Sequence, residues 1–270
     1  MYELRVIYEK RIYTKLRMKL FFYLLLFAYC LLPTAYFSSA QNVKDSSLFI
    51  PMVKISYAAQ LPAGDMSKRF GVSSALGLNF SIKTKNNLYF GIDGGFIFGN
   101  NIKENGILDS LKTSGGFIIN QNGNPAKIRL FERGYTLSLH IGKLFNIWSH
   151  NKNSGLLVYA GPTYLQHKIR IDDVGNQTPE LAKDYVKGYD RLTSGFGFHE
   201  FIGYVYLGNN RILNFFGGLD LMQAFTKSRR SYDYDLMKAD TAKRLDMLYG
   251  IRLGWILPLY KRTPQQFYYQ

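Results

Sequence analysis

The amino-acid sequence predicts an all-β fold: a transmembrane antiparallel up-and-down β-barrel of about eight strands with long extracellular loops. Three observations predict it. The stretch LDMLYGIRLGWILPLY (245–260) places Leu245, Met247, Tyr249, Ile251, Leu253, Trp255, Leu257 and Leu259 on one parity and Asp246, Gly250, Arg252 and Gly254 on the other. This is the alternation of a strand with lipid on one face and a polar interior on the other. The predicted connections alternate between short and long, as the two ends of such a barrel demand. The 270 residues include 21 Tyr, 20 Phe and 25 Gly, amounts that aromatic girdles and closely packed strands would require.

The first predicted strand covers 49–61, with Val53, Ile55, Tyr57, Ala59 and Leu61 facing away from Lys54, Ser56, Ala58 and Gln60. The second, 74–83, sets Leu76, Leu78, Phe80 and Ile82 against Gly77, Asn79, Ser81 and Lys83. A tight TKNN turn at 84–87 leads to the third, 88–98, in which Phe90, Ile92, Phe96 and Phe98 oppose Tyr89, Gly91, Asp93 and Gly95. Residues 99–134 lack sustained periodicity and read as a loop holding a short helix or hairpin near 107–119. The fourth strand is 135–147, followed by a turn with Asn151, Asn153 and Gly155. The fifth, 156–171, and the sixth, 194–207, are apolar on both parities, so their faces stay open. Between them PELAKDYVK promises a helical turn or two. A GNNR turn at 208–211 precedes the seventh strand, 212–225, and a charged loop at 226–244 delivers the chain to the eighth.

Connections after the second, fourth and sixth strands are short, and the others run to a dozen residues or more. Short turns belong on the periplasmic side and long loops outside, so the outward loops centre near 68, 116, 182 and 235, and both termini are periplasmic. One barrel domain, 41–270, accounts for the chain after its leader.

That leader is residues 1–40. Lys10, Arg11, Lys15, Arg17 and Lys19 precede an apolar run from Leu20 to Leu32, and Ser38, Ser39 and Ala40 supply the small residues a signal peptidase needs. Cleavage before Gln41 removes Cys30, the only cysteine, and with it any disulfide framework or Cys metal site. It also removes a net charge of +4, taking the formal charge from +15 to +11. For an exported basic barrel the nearest anions are lipopolysaccharide phosphates, and nucleic acid is excluded as a partner.

With this pattern in place, the chain resembles the small eight-stranded outer-membrane barrels of the OmpA type. It is more similar still to a class of outer-membrane barrel proteins common in Bacteroidota. The segments that carry the resemblance are SYAAQLPAGD, YFGIDGGFIFG, FERG, KGYDRLTSGF and LGWILPLY. The resemblance implies location in the outer membrane of a Gram-negative bacterium. It also implies a stand-alone porin-like protein or an accessory subunit of an outer-membrane secretion or assembly complex. No catalytic residues and no cofactor come with it.

Candidate functional residues fall into two groups. Lys54, Asp93, Asp220 and Arg252, with His140 and Glu200 as additions, are placed in the lumen, where a narrow barrel has room only for side chains and opposite charges form a closed ion-pair core. Lys227, Arg229, Arg230, Tyr185, Tyr189 and Tyr232 are placed on the outward loops as contacts for a protein partner or for lipopolysaccharide. The alternatives are a small porin-like channel and a lipid A-modifying barrel enzyme built on His199, Glu200, His140, His167 and Ser138. Neighbouring strand residues such as His199 and Glu200 point to opposite faces, which counts against a shared catalytic site. His150 in a turn is a weak metal candidate. The expectation is a non-enzymatic barrel.

Overall fold

A computed structural model describes residues 47–259 apart from 105, 150, 176, 183 and 209–212. The leader 1–40, His150 and most of the GNNR turn therefore lie outside the described residues. Eight strands run in order: β1 (Ile50–Gly64), β2 (Ser73–Lys83), β3 (Leu88–Gly99), β4 (Ile128–Phe145), β5 (Gly155–Asp173), β6 (Thr193–Leu207), β7 (Asn214–Ser228) and β8 (Lys243–Pro258). Each pairs antiparallel with its neighbours, and β8 closes on β1 through pairs such as Ile55 with Trp255 and Ala58 with Arg252. Closure satisfies the backbone of every strand within the sheet, the condition for strands to cross hydrocarbon.

The predicted faces of β1, β2, β3 and β8 hold, and β4 and β7 follow the same alternation. Ile55, Leu78, Leu139, Leu219 and Leu253 are each more than half exposed on the outside, while Lys54, Asn79, Asp93, His140, Asp220 and Arg252 are buried inside. An apolar belt that large is stable only when removed from water, which a hydrocarbon layer provides. The two ambiguous strands resolve. Tyr159, Leu165 and His167 of β5 and His199, Phe201 and Val205 of β6 turn inward, and Phe196, Phe198 and Ile202 turn outward. Their double-sided apolar character has a physical cause: beside His167 and His199, their inward positions are filled largely by apolar and aromatic side chains such as Leu157, Tyr159, Leu165, Phe201 and Val205.

β4 begins at Ile128, seven residues before its predicted start, so the FERG segment is strand. Above the lipid neither face has to be apolar, and the period-two signal disappears although the ladder with β5 continues. That ladder skips Leu139 and His140 opposite Gly161 and Pro162, where proline has no N–H to donate. The helical turns predicted in two loops are short 3-10 turns at Asp109–Leu111, Pro179–Leu181 and Tyr185–Gly188.

Among the described residues, buried side chains occupy the interior in three layers. At the short-turn end, buried Lys83 donates to Ser47 Oγ (3.1 Å), to the Leu48 carbonyl (3.3 Å) and to Asn153 Oδ1 (3.0 Å). At mid-barrel lies a layer of charges and rings. Toward the long-loop end an apolar plug of Met66, Phe70, Ile97, Leu165, Ile169, Met222 and Leu248 takes over. Each such side chain contributes roughly 1.5–3 kcal/mol on leaving water. Inward Gly203 and Gly218 are matched across β6 and β7, and a Cβ on Gly218 would lie 2.3 Å from the Gly203 Cα. No side chain fits there, so the two strands approach closely beside the Phe201 and Phe216 rings.

Candidate functional site

The mid-barrel charges form one network centred on Arg252. Its Nη1 donates to Asp93 Oδ2 (2.8 Å) and its Nη2 to Asp220 Oδ2 (3.1 Å), with Nε 3.0 Å from Asp220 Oδ1. Asn79 Nδ2 donates to Asp93 Oδ2 (3.3 Å), and His199 Nε2 lies 2.8 Å from Asp220 Oδ1. The planar guanidinium fork suits this two-sided arrangement, because it presents donors along two edges at fixed angles.

Lys54 departs from the expectation of an ion pair. Among the described residues no carboxylate lies within 4 Å of it, and its ammonium sits over the rings of Tyr89 (4.4 Å) and Phe216 (5.0 Å). His140 is likewise no member of the ion-pair core. It stacks on Tyr159 at 4.2 Å, and both of its ring nitrogens are buried with no hydrogen-bond partner.

Glu200 is a correction: it faces outward, between Phe198 and Ile202 on the lipid side, because its neighbour His199 takes the inward position beside Asp220. A carboxylate in an apolar belt is destabilising. Glu200→Leu is therefore expected to raise stability by about 1 kcal/mol, less than the roughly 2–4 kcal/mol that a basic residue costs at mid-bilayer. Urea unfolding in vesicles reads this out, and an unchanged midpoint would mean that Glu200 lies above the hydrocarbon.

Among the described residues the candidates Ser138, His140, His167, His199 and Glu200 do not come together as a hydrolase arrangement. Ser138 Oγ is 2.7 Å from Thr163 Oγ1, and His199 is committed to Asp220. A second buried cluster has His167 Nε2 2.8 Å from Asp246 Oδ2, with Thr226 Oγ1 donating to the same oxygen at 2.5 Å. Here hydroxyl and imidazole both address the carboxylate, so the imidazole is not placed to take the hydroxyl proton. Phe70 seals the imidazole edge-on at 5.3 Å. Among the described residues no group of three or more His, Cys, Asp or Glu side chains is placed to hold a metal ion.

The four long loops form a crown held by ion pairs. Arg191 Nε donates to Glu104 Oε1 (2.8 Å) and Nη2 to Asp235 Oδ2 (2.5 Å), with Nη1 2.8 Å from Asp233 Oδ2. Arg69 Nη1 donates to Thr193 Oγ1 (3.0 Å), and its guanidinium lies 3.4 Å from Glu104 and 3.7 Å from Asp240. Loops after β1, β3, β5 and β7 thus meet at one knot. Burial pushes the Asp233 carboxyl up, aided by the charges of Asp240 and Asp235 and opposed by Arg191. Burial opposes ionisation of Asp240 too, yet the Ala242 N–H and the Arg244 guanidinium hold its carboxyl below the ordinary range. Burial works against the Arg191 cation as well, but the hydrogen bonds it donates to Asp235 and Glu104 raise its pKa further.

This knot corrects two outward-contact expectations. Tyr189 is 6 % exposed and packs edge-on against Tyr234 at 5.6 Å, under the crown. Arg230 is closed onto Asp190 through Nε (2.8 Å) and Nη2 (2.5 Å). Tyr185, Tyr232, Lys227 and Arg229 do lie exposed. Sequence reasoning missed Arg191, Glu104 and Asp233, since ion partners so far apart in sequence leave no periodic mark. It also missed a hollow of about 510 Å³ between the β3–β4 loop and the start of β4, lined by Ile102, Ile107, Leu108, Phe117, Ile118 and Leu130 with Glu104 and Lys112 at its rim.

No known family matches the chain, and no curated protein matches it. Among solved structures it is similar to Ail, the attachment invasion locus protein of Yersinia pestis, at 10% identity and a TM-score of 0.35, covering 77% of this chain and 99% of that one. A second structure of Ail, with the same figures, is a complex with the heparin analogue sucrose octasulfate. The chain is also similar to the outer membrane protein OprG of Pseudomonas aeruginosa, at 12% identity and a TM-score of 0.37, covering 80% of this chain and 99% of that one. The architecture seen in the structure is a closed antiparallel barrel of eight strands.

Proposed function

We propose that the protein is a non-conducting, non-enzymatic barrel of the Gram-negative outer membrane, with both termini periplasmic, whose crown holds a protein partner as an accessory subunit of a larger complex. The observation that carries this reading is the crown itself: a knot of buried ion pairs fixes four loops in one arrangement and leaves the 510 Å³ apolar hollow open at its side. Phe117, 44 % exposed at that hollow, and Tyr185, Tyr232, Leu236 and Met237 at the loop tips offer the apolar core of an interface, with charges around it. A fixed surface loses little conformational entropy on binding, which favours a holding role. The filled lumen speaks against a channel, and the sealing of His167 and His199 speaks against lipid A chemistry.

Affinity purification of the tagged protein in mild detergent tests the reading. A stoichiometric partner is expected with the wild type, and its loss with Phe117→Asp. A monomer carrying only lipid would defeat the subunit reading, and large stable openings in planar bilayers would favour the channel.

A further inference from the structure

We infer that the outer face of β6, β7 and β8, just below the crown, is a binding site for the phosphorylated lipid A moiety of lipopolysaccharide. The site is a groove of about 830 Å³ running from Phe196 and Phe225 up to Lys227, Arg229 and Lys243. Its geometry follows from register. Phe196 of β6, Phe225 of β7 and Leu245 of β8 are directly opposite one another across the three strands. Phe196 and Phe225 are 71 % and 70 % exposed, more than most of the belt. Together they make an apolar shelf.

One same-face step higher, roughly 7 Å along the strands, the corresponding row is Ser194, Lys227 and Lys243. Arg229 folds over its first position, with Nε donating to Ser194 Oγ at 2.7 Å. Three cations therefore stand side by side directly above the shelf. Lys227 and Lys243 face each other as a cross-strand pair of like charge, an arrangement that costs stability when nothing lies between them. Among the described residues no carboxylate lies within 4 Å of either. The groove's one acid, Asp65, is occupied by Lys68 Nζ (2.8 Å) and the Leu245 N–H (3.0 Å), and Arg244 is bonded to Asp240.

The missing group is an anion at the height of the cation row whose own acyl chains descend over the phenylalanines. Lipid A joins phosphates and acyl chains on one disaccharide, so a single molecule spans both rows. Placing this face in the outer leaflet rests on the loops-outward orientation. It does not depend on the crown having a protein partner, and the purified protein tests it with no partner present.

The test uses wild-type protein in phosphatidylcholine nanodiscs doped with bis-phosphorylated lipid A, with lipid A stripped of both phosphates, or with phosphatidylglycerol. Retained lipid is counted by native mass spectrometry. Wild type is expected to retain phosphorylated lipid A about ten-fold better for each lysine that Lys227→Ser and Lys243→Ser remove. Lys227→Arg with Lys243→Arg should restore retention, and salt should weaken it. Equal retention of the phosphate-free lipid by wild type would overturn the site, as would equal retention by the serine variant. Phosphatidylglycerol held as well as lipid A would overturn the choice of lipid and point to the inner leaflet.

Discussion

Arg252→Ala is expected to lower barrel stability by about 3–5 kcal/mol, the largest effect of any single side-chain truncation in the lumen. The guanidinium holds Asp93 and Asp220 together, and all three side chains are at most 4 % exposed. Without it two carboxylates stand in a closed interior with only Asn79 and His199 in hydrogen-bond contact among the described residues. The penalty comes from leaving charges buried and unpaired, not from losing a favourable pair, so it should be recoverable. Adding Asp93→Asn and Asp220→Asn to Arg252→Ala removes the stranded charges and should return a good part of the loss. Urea unfolding of the refolded barrel in vesicles gives both numbers. A wild-type midpoint for Arg252→Ala would show that water reaches the network, and the closed-lumen reading would fall with it.

That network was partly legible in the sequence. Inward parity placed Lys54, Asp93, Asp220 and Arg252 in the lumen because alternation assigns faces wherever one face meets lipid. Parity cannot tell which inward residues touch, and so it gave Lys54 an acid partner where the fold provides two rings. It failed for Glu200 because β6 is apolar on both faces, leaving a carboxylate as the best available marker of the inside. It failed again for residues 128–134, where the strand has left the membrane and nothing imposes alternation. The crown was least legible: Arg191 and Glu104 lie 87 positions apart, and only the closed barrel brings them together.

The second large effect is expected from Arg191→Ala, and it should be local. Arg191 is 3 % exposed at the side chain and meets Glu104, Asp233 and Asp235 from two other loops. Its removal leaves three acids converging on an empty position, a loss on the order of 3 kcal/mol borne by the crown. The strand ladders and the Arg252 network do not involve it. Heat or urea unfolding of the barrel should therefore change little, while hydrogen exchange in 100–127 and 229–242 should accelerate by about a hundred-fold or more. Acid should act on the same loops in wild type, with two opposed contributions. The lowered Asp240 carboxyl stabilises the folded crown above the ordinary aspartate range, and this is lost as pH falls through its lower value. The raised Asp233 carboxyl works the other way, favouring the folded crown in acid and opposing it as pH rises through its folded value. On acidification, loosening through Asp240 is thus expected only below a pH of about 4, whereas Asp233 weakens the crown as pH rises above that range. If Arg191→Ala left loop exchange at the wild-type rate, the ion knot would not be what fixes the crown, and the partner surface built on its rigidity would lose its basis.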